Sequence, residues 1–327
     1  MLCAALLSPT ALAQDGRSPD YPYRIVPVDA VRGHLLEGAF REPMGVCYDA
    51  EADELLVADT KNGLIGIFRG DGLPTFTFGG PAILSDPTMI EVGKEGTIYV
   101  LAGDRLRIQV FNYRGEAQAP LECARTAKAG EPTRTVRIGA MARRPDGAWW
   151  LFDSDAHELL LCDEALGVRT AIGAVPNKEK GLHLESVSDI SLAPDGTVAL
   201  IDLSATPVQI LDAAGKFLRG FGKRDIGVEN FTMAAGLAFD ELGFLYVVDL
   251  LRHDVKVFDR EGRFMSVFGG WFSPETAGRG PGELLYPADI AISPHGRIYV
   301  AERFGQRVQI FDRLPAEPAT GPGGSRR

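Results

Sequence analysis

Six short runs recur along this chain: LLVAD ending at Asp59, IYVLA at Ala102, WWLFD at Asp153, VALID at Asp202, LYVVD at Asp249 and IYVAE at Glu302. The anchors lie 43, 51, 49, 47 and 53 residues apart, but their flanks keep a stricter register than the spacing does. Six positions before the anchor stand Gly96, Gly147, Gly196, Gly243 and Gly296, with Asp53 in the first copy. Nine positions after it stand Phe68, Phe111, Cys162, Leu211, Phe258 and Phe311. A fixed internal period of this size marks a repeat architecture, in which one supersecondary unit is stacked on its neighbours.

Each copy reads as four short strands. An apolar run such as DIAIS enters a Pro/Asp/Gly turn (PDG at 145–147 and 194–196, PHG at 294–296), where Gly tolerates positive φ and Asp bonds its own backbone. The anchor run follows, rich in β-branched and aromatic residues, then a polar turn and a second run: IGIF, IQVF, LLLC, VQIL, VKVF, VQIF. After three of these, a further run ends in Phe-Gly (FTFGG, FLRGFG, FMSVFGG). Both faces of the middle strands are apolar, as in sheets packed on both sides. The pattern predicts an all-β fold, a six-bladed β-propeller with four antiparallel strands per blade.

Copy six stops at VQIFDRLPAEP without a fourth strand, while residues 23–31, YRIVPVDAV, precede copy one as an unassigned strand. This segment is expected to close blade six and cover its open edge. The domain layout is then a signal peptide at 1–13, a linker at 14–22, the propeller at 23–313 and a disordered Pro/Gly-rich tail at 314–327.

The first residues, MLCAALLSPTALAQ, combine an apolar run with the small-residue pattern Ala11-Leu12-Ala13, which reads as a secretory signal and points to export, periplasmic or extracellular. No later stretch is long and apolar enough to span a membrane. The net charge of −10 argues against nucleic acid as a partner, because binding a phosphate backbone requires Lys and Arg to displace counterions. Beyond Cys3, the cysteines Cys47, Cys123 and Cys162 carry no C-x-x-C spacing; buried thiols are expected, and one bridge among the three is left open.

The stretch GFLYVVDLLRHDVKVFDREGRFMSVFG resembles the NHL repeat, whose common form runs roughly G-x-x-Y-V-A-D-x-x-N-H-R-I-Q-V-F-D-x-x-G. The similarity extends over about residues 40–313 and is strongest in copies one, two, five and six. The resemblance implies the same six-bladed propeller. It also assigns His253 to the repeat's own His, in the turn after the second strand, so the cluster Asp249, Arg252, His253, Asp254 reads as turn chemistry rather than catalysis.

Candidate sites are the channel and the loops at its mouth. Thirteen positions before the anchor, copies four and six carry Asp189 and Asp289, facing one axis. Such carboxylates either bond neighbouring strand N–H groups or hold Ca²⁺ or Mg²⁺. The long loop FGGWFSPETAGRGPGELLYP supplies Trp271, Phe272, Arg279 and Tyr286, an interface-like set of aromatics and Arg, joined by Arg252 and Arg303 from the turns of blades five and six. Related propeller enzymes provide a test. The zinc-binding histidines of peptide-amidating lyases have no counterpart at Pro87-Thr88 or Pro287-Ala288, and the calcium set of lactonases is matched only by Asp189 and Asp289. No G-x-S-x-G, P-loop or H-E-x-x-H is present. The expected function is therefore a non-catalytic, monomeric, exported scaffold that binds a protein through its loop face. The alternative is a metal-dependent lactonase- or lyase-like enzyme using the axial pocket.

Overall fold

In a computed structural model, described over residues 17–126, 132–173, 181–204, 207–270 and 280–316, the repeats form six antiparallel sheets. The inner strands, in blade order, are Pro43–Asp49, Met89–Val92, Ile138–Arg143, Val187–Leu192, Ala234–Phe239 and Pro287–Ile292. Five blades have four strands. Blade 2 has three; its outer place is taken by residues 117–121, which pair through the isolated bridges Ile108↔Leu121 and Phe111↔Ala117. After IQVF this copy runs NYRGEAQAPLE, with no β-branched or aromatic stretch to form a full outer strand.

The expected closure is present. Tyr23–Val31 pairs antiparallel with Arg307–Pro315, in register from Tyr23↔Pro315 to Val31↔Val308. Two boundaries differ from the sequence reading. The last strand continues to Pro315, because its partner reaches back to Tyr23. The segment before the closing strand, expected to be a linker, is packed: Tyr21 is fully buried, its hydroxyl 2.7 Å from that of Tyr246 and its ring edge-on to Phe244. An aromatic ring of this size gains by leaving water, and its hydroxyl has a partner waiting in blade 5.

Period-2 alternation distributes the core into six slabs, one between each pair of adjacent blades. On one middle strand Trp149 and Leu151 face blade 2, while Trp150 and Phe152 face blade 4. Both tryptophans are fully buried.

The repeated glycines have a local cause. Gly96, Gly147, Gly196, Gly243 and Gly296 all adopt positive φ, between 69° and 91°, and Asp53 takes the same place at 57°. A Cβ on Gly243 would stand 2.2 Å from the Arg260 guanidinium, so the turn also requires the missing side chain.

Candidate functional site

The buried anchor acids tie the mouth of the ring together. Asp59, Asp153, Asp202, Asp249 and Glu302 are all fully buried. In blades 1, 4, 5 and 6 the anchor accepts an entry-loop N–H at 2.7–2.8 Å: Arg41, Glu185, Thr232 and Leu285. A buried cation or polar group completes each of the following. Lys256 Nζ bonds Asp249 at 3.2 Å and Asp254 at 2.5 Å, Arg307 bonds Glu302 at 2.6 Å, and Arg134 bonds Asp153 at 2.5 Å. In blade 1 the place of Lys256 is Gly66, and His34 from the entry loop fills the space and bonds Asp59 at 2.9 Å. Burying these charges is tolerable only because they are paired.

His253 is part of the same frame. It has φ of 60°, as do the equivalent Gly63 (64°), His157 (56°) and Gln306 (52°). Its Nδ1 accepts the Tyr286 N–H at 2.9 Å, while His157 Nδ1 bonds the Glu185 carbonyl at 2.9 Å. Both rings thus clip the turn of one blade to the entry loop of the next. Burial lowers the His253 pKa, consistent with a neutral ring that accepts this bond.

The channel has two chambers. The upper funnel, about 570 Å³, opens at the mouth and is walled by Met44, Met233, Phe152 and Leu250, with Arg105, Arg303 and Glu185. The lower chamber, about 240 Å³, is bounded by Cys47, Tyr48, Glu91 and Arg143. Met89, Asp189 and Asp289 line both and form the waist between them. Register shifts between Val187 and Asp189, and between Pro287 and Asp289, fall where these carboxylates turn inward.

Each waist carboxylate joins two blades. Asp189 accepts Ile190 N–H of its own strand at 2.9 Å and Leu237 N–H of blade 5 at 2.8 Å. Asp289 accepts Ile290 N–H at 2.8 Å and Val46 N–H of blade 1 at 2.8 Å. A third acid joins the set: Glu91 of blade 2 lies against blade 3, where the backbone and the charge of Arg143 favour its ionised form. The acids of blades 2, 4 and 6 therefore stitch the pairs 2/3, 4/5 and 6/1. Burial pushes Asp289 up to about 7 and Glu91 up to about 8, and it holds Asp189 well above the carboxylate range, with the charge of Asp289 adding to the effect.

All four oxygens of Asp189 and Asp289 already accept main-chain N–H groups. Among the described residues no group of three His, Cys, Asp or Glu is placed to hold a metal. Each oxygen of the pair is thus engaged by the main chain.

The residues expected to bind a partner separate into three sets. Arg303 lines the funnel, pairs with Glu42 at 2.9 Å and lies 5.0 Å over the Phe304 ring. Tyr286 is brought beside it, edge-on to the same Phe304 at 5.0 Å. Arg252 is directed elsewhere, bonding the carbonyls of Ile226 at 2.8 Å and Gly227 at 3.2 Å, where it braces the loop into blade 5. Trp271, Phe272 and Arg279 lie outside the described residues. Sequence reasoning missed Glu91, Arg105 and the methionines. Glu91 had a legible signal: it sits eleven positions before its anchor, on the same strand face as the thirteenth, where other copies carry Tyr48, Ala142, Ser191, Ala238 and Ala291. Arg105 had none, because it comes from a turn; it spans to blade 3 by bonding the Gly139 carbonyl at 3.1 Å.

No helix among the described residues is long and apolar enough to cross a membrane. The NHL repeat family model matches residues 40–68 and 284–311. The chain is similar to NHL repeat-containing protein 3 of Mus musculus, 30% identical over 136 residues, 40% of this chain and 36% of that protein. It is also similar to Protein brain tumor of Drosophila melanogaster, 29% identical over 103 residues, 28% of this chain and 9% of that protein. The chain thus spans 36% of the first curated relative and 9% of the second. Two solved structures share its fold: a streptogramin B lyase (TM-score 0.57, 12% identity, 90% of this chain and 98% of that one), and virginiamycin B lyase from Staphylococcus aureus (TM-score 0.54, 11% identity, 90% and 89%). At that identity the likeness concerns fold alone. Repeats matched in the first and last blades, an NHL-containing relative and the closed ring of six sheets together make this chain a six-bladed β-propeller that carries NHL repeats.

Proposed function

We propose that this NHL propeller is an exported, monomeric, non-catalytic scaffold whose mouth face docks a protein. The observation that carries the reading is the distribution of exposed apolar side chains. Leu35, Leu36, Ile83, Ile226, Met233, Leu251 and Phe304 all stand on mouth loops or turns, with Leu36 86% and Ile226 90% exposed. The opposite face has Leu73, Tyr113, Leu218, Leu242 and Leu314, none more than 59% exposed. Apolar groups gathered around one opening, beside the cation–π pair of Arg303 and Phe304, form the kind of surface that protein partners cover. The acidic net charge favours a protein over a polyanion. Export rests on the small-residue pattern at Ala11-Leu12-Ala13.

The test places a photo-crosslinking residue at Phe304 on the mouth or at Tyr113 on the far face; both positions are exposed (48% and 59%). A discrete crosslinked protein from position 304, suppressed by Met233→Asp and not formed from position 113, is the expected result. Equal labelling from both faces would sink the docking reading.

The metal-dependent lactonase- or lyase-like reading draws on one observation, the three carboxyls with raised pKa along the channel, since perturbed groups in a cleft are candidates for acid–base work. Their bonds to main-chain N–H groups support the structural role instead.

A further inference from the structure

We infer that Cys123 and Cys162 form a disulfide, the covalent tie between the irregular outer edge of blade 2 and the third strand of blade 3. Cys123 follows the bridged segment 117–121, and its carbonyl accepts the Val136 N–H at 2.8 Å. Cys162 ends the strand Glu158–Cys162, opposite Trp149 and Val168. Both side chains are fully buried in the single core slab between blades 2 and 3. The two thiols stand close enough within it to shift each other's pKa. Cys47 packs in a different slab, between blades 1 and 2, with no cysteine beside it among the described residues. Of the three pairings open to the mature cysteines, the fold brings one into contact.

The surroundings also assign roles. The neighbouring Cys162 thiol, helped by the charges of Arg125 and Arg134, lowers the pKa of Cys123, while the Cys123 thiol raises that of Cys162. Cys123 is the thiolate that attacks, because the thiolate is the nucleophile in exchange. With a low-molecular-weight disulfide such as oxidised glutathione as oxidant, the Cys123 sulfur bonds one glutathione sulfur and the other leaves as a thiolate. Cys162 then attacks the Cys123 sulfur and expels the second glutathione. One protein disulfide forms, one glutathione disulfide is reduced to two thiols, and the two protein thiol protons are taken up by the departing glutathiones. Because the pair is buried, the exchange belongs to late folding, once the two sulfurs and the two arginines have come together and before the slab between blades 2 and 3 is sealed.

The experiment is cell-free synthesis of the full chain in a buffer of oxidised and reduced glutathione, then alkylation and non-reducing peptide mapping. This asks about the cysteines independently of export or any docking partner. The expected map joins the Cys123 and Cys162 peptides, lighter by two hydrogens, with Cys47 and Cys3 alkylated. The denaturant midpoint of this material should fall on reduction in the wild type and stay unmoved in Cys162→Ala. A crosslink to Cys47 or Cys3, or alkylation of all four thiols in folded chain, would overturn the assignment.

Discussion

The junction of blades 6 and 1 and the junction of blades 2 and 3 meet the same requirement by different chemistry. At 6/1 the repeat is regular, and the join is made of main-chain pairing and aromatic hydroxyls. The closing strand zips against the last one, Tyr299 donates to the Gly70 carbonyl at 2.7 Å, and Tyr48 stacks on Tyr299 at 5.3 Å. At 2/3 the outer strand is missing, and charged side chains take over. Arg143 lies over Tyr99 and Trp149 at 5.2 and 5.7 Å, Arg105 reaches Gly139, and Arg125 and Arg134 converge on Asp153. Where a blade loses backbone pairing, guanidinium groups can restore the join, because each offers several donors and a flat face for aromatic rings.

That contrast can be broken on the charged side. Asp153→Ala leaves Arg125 and Arg134 facing a buried gap, and should cost about 3–5 kcal/mol by urea unfolding, since one partner of a buried pair is removed. A loss under about 1 kcal/mol would mean that Glu158 and Asp155 hold the arginines unaided.

The acids shared by both junctions predict a pH dependence. Glu91 at 2/3 and Asp289 at 6/1 rise from 4.5 and 3.8 to about 8 and about 7, so the folded chain keeps protons that the unfolded chain releases. Their contribution to stability is full below about pH 4 and is lost as the pH climbs through about 7 to 8. Urea midpoints across that window should decline in the wild type and decline less in Glu91→Gln/Asp289→Asn; parallel slopes would refute the assignment.

On the regular side the effects are smaller. Tyr21→Phe removes one hydroxyl from the bond with Tyr246 and should cost about 1 kcal/mol in the same assay. Smallest of all is the divalent cation: melting in EDTA and in excess Ca²⁺ or Mg²⁺ should coincide. An upward shift abolished by Asp189→Asn/Asp289→Asn would instead restore the metal reading, because a ligand at 100 times its dissociation constant adds about 2.7 kcal/mol.

The ring was legible in the sequence because its determinants are local. Positive φ after a turn demands Gly, buried middle strands demand apolar residues on both faces, and an uncapped last copy demands a strand from elsewhere. The waist was half legible: Asp189 and Asp289 stand out against Gly236 and Ala140, whereas Glu91 required counting two further residues along the strand. The funnel wall was not legible. Met233 and Arg105 come from a loop and a turn whose course depends on neighbouring blades, and no period reports that course; Met44 opens an inner strand, where an apolar residue reads as core. Arg252 shows the same limit, since nothing in the sequence tells that this turn Arg braces two carbonyls of the loop into blade 5.

The three waist stitches make the ring a set of three couples, 2/3, 4/5 and 6/1, rather than six equal members. Where the chain can be cut and rejoined should follow that division. New termini opened in residues 80–88, between blades 1 and 2, would leave every couple whole, whereas a cut in residues 222–233 would part the blades that Asp189 joins. Circular permutants should therefore tolerate breaks at alternate junctions of the wheel.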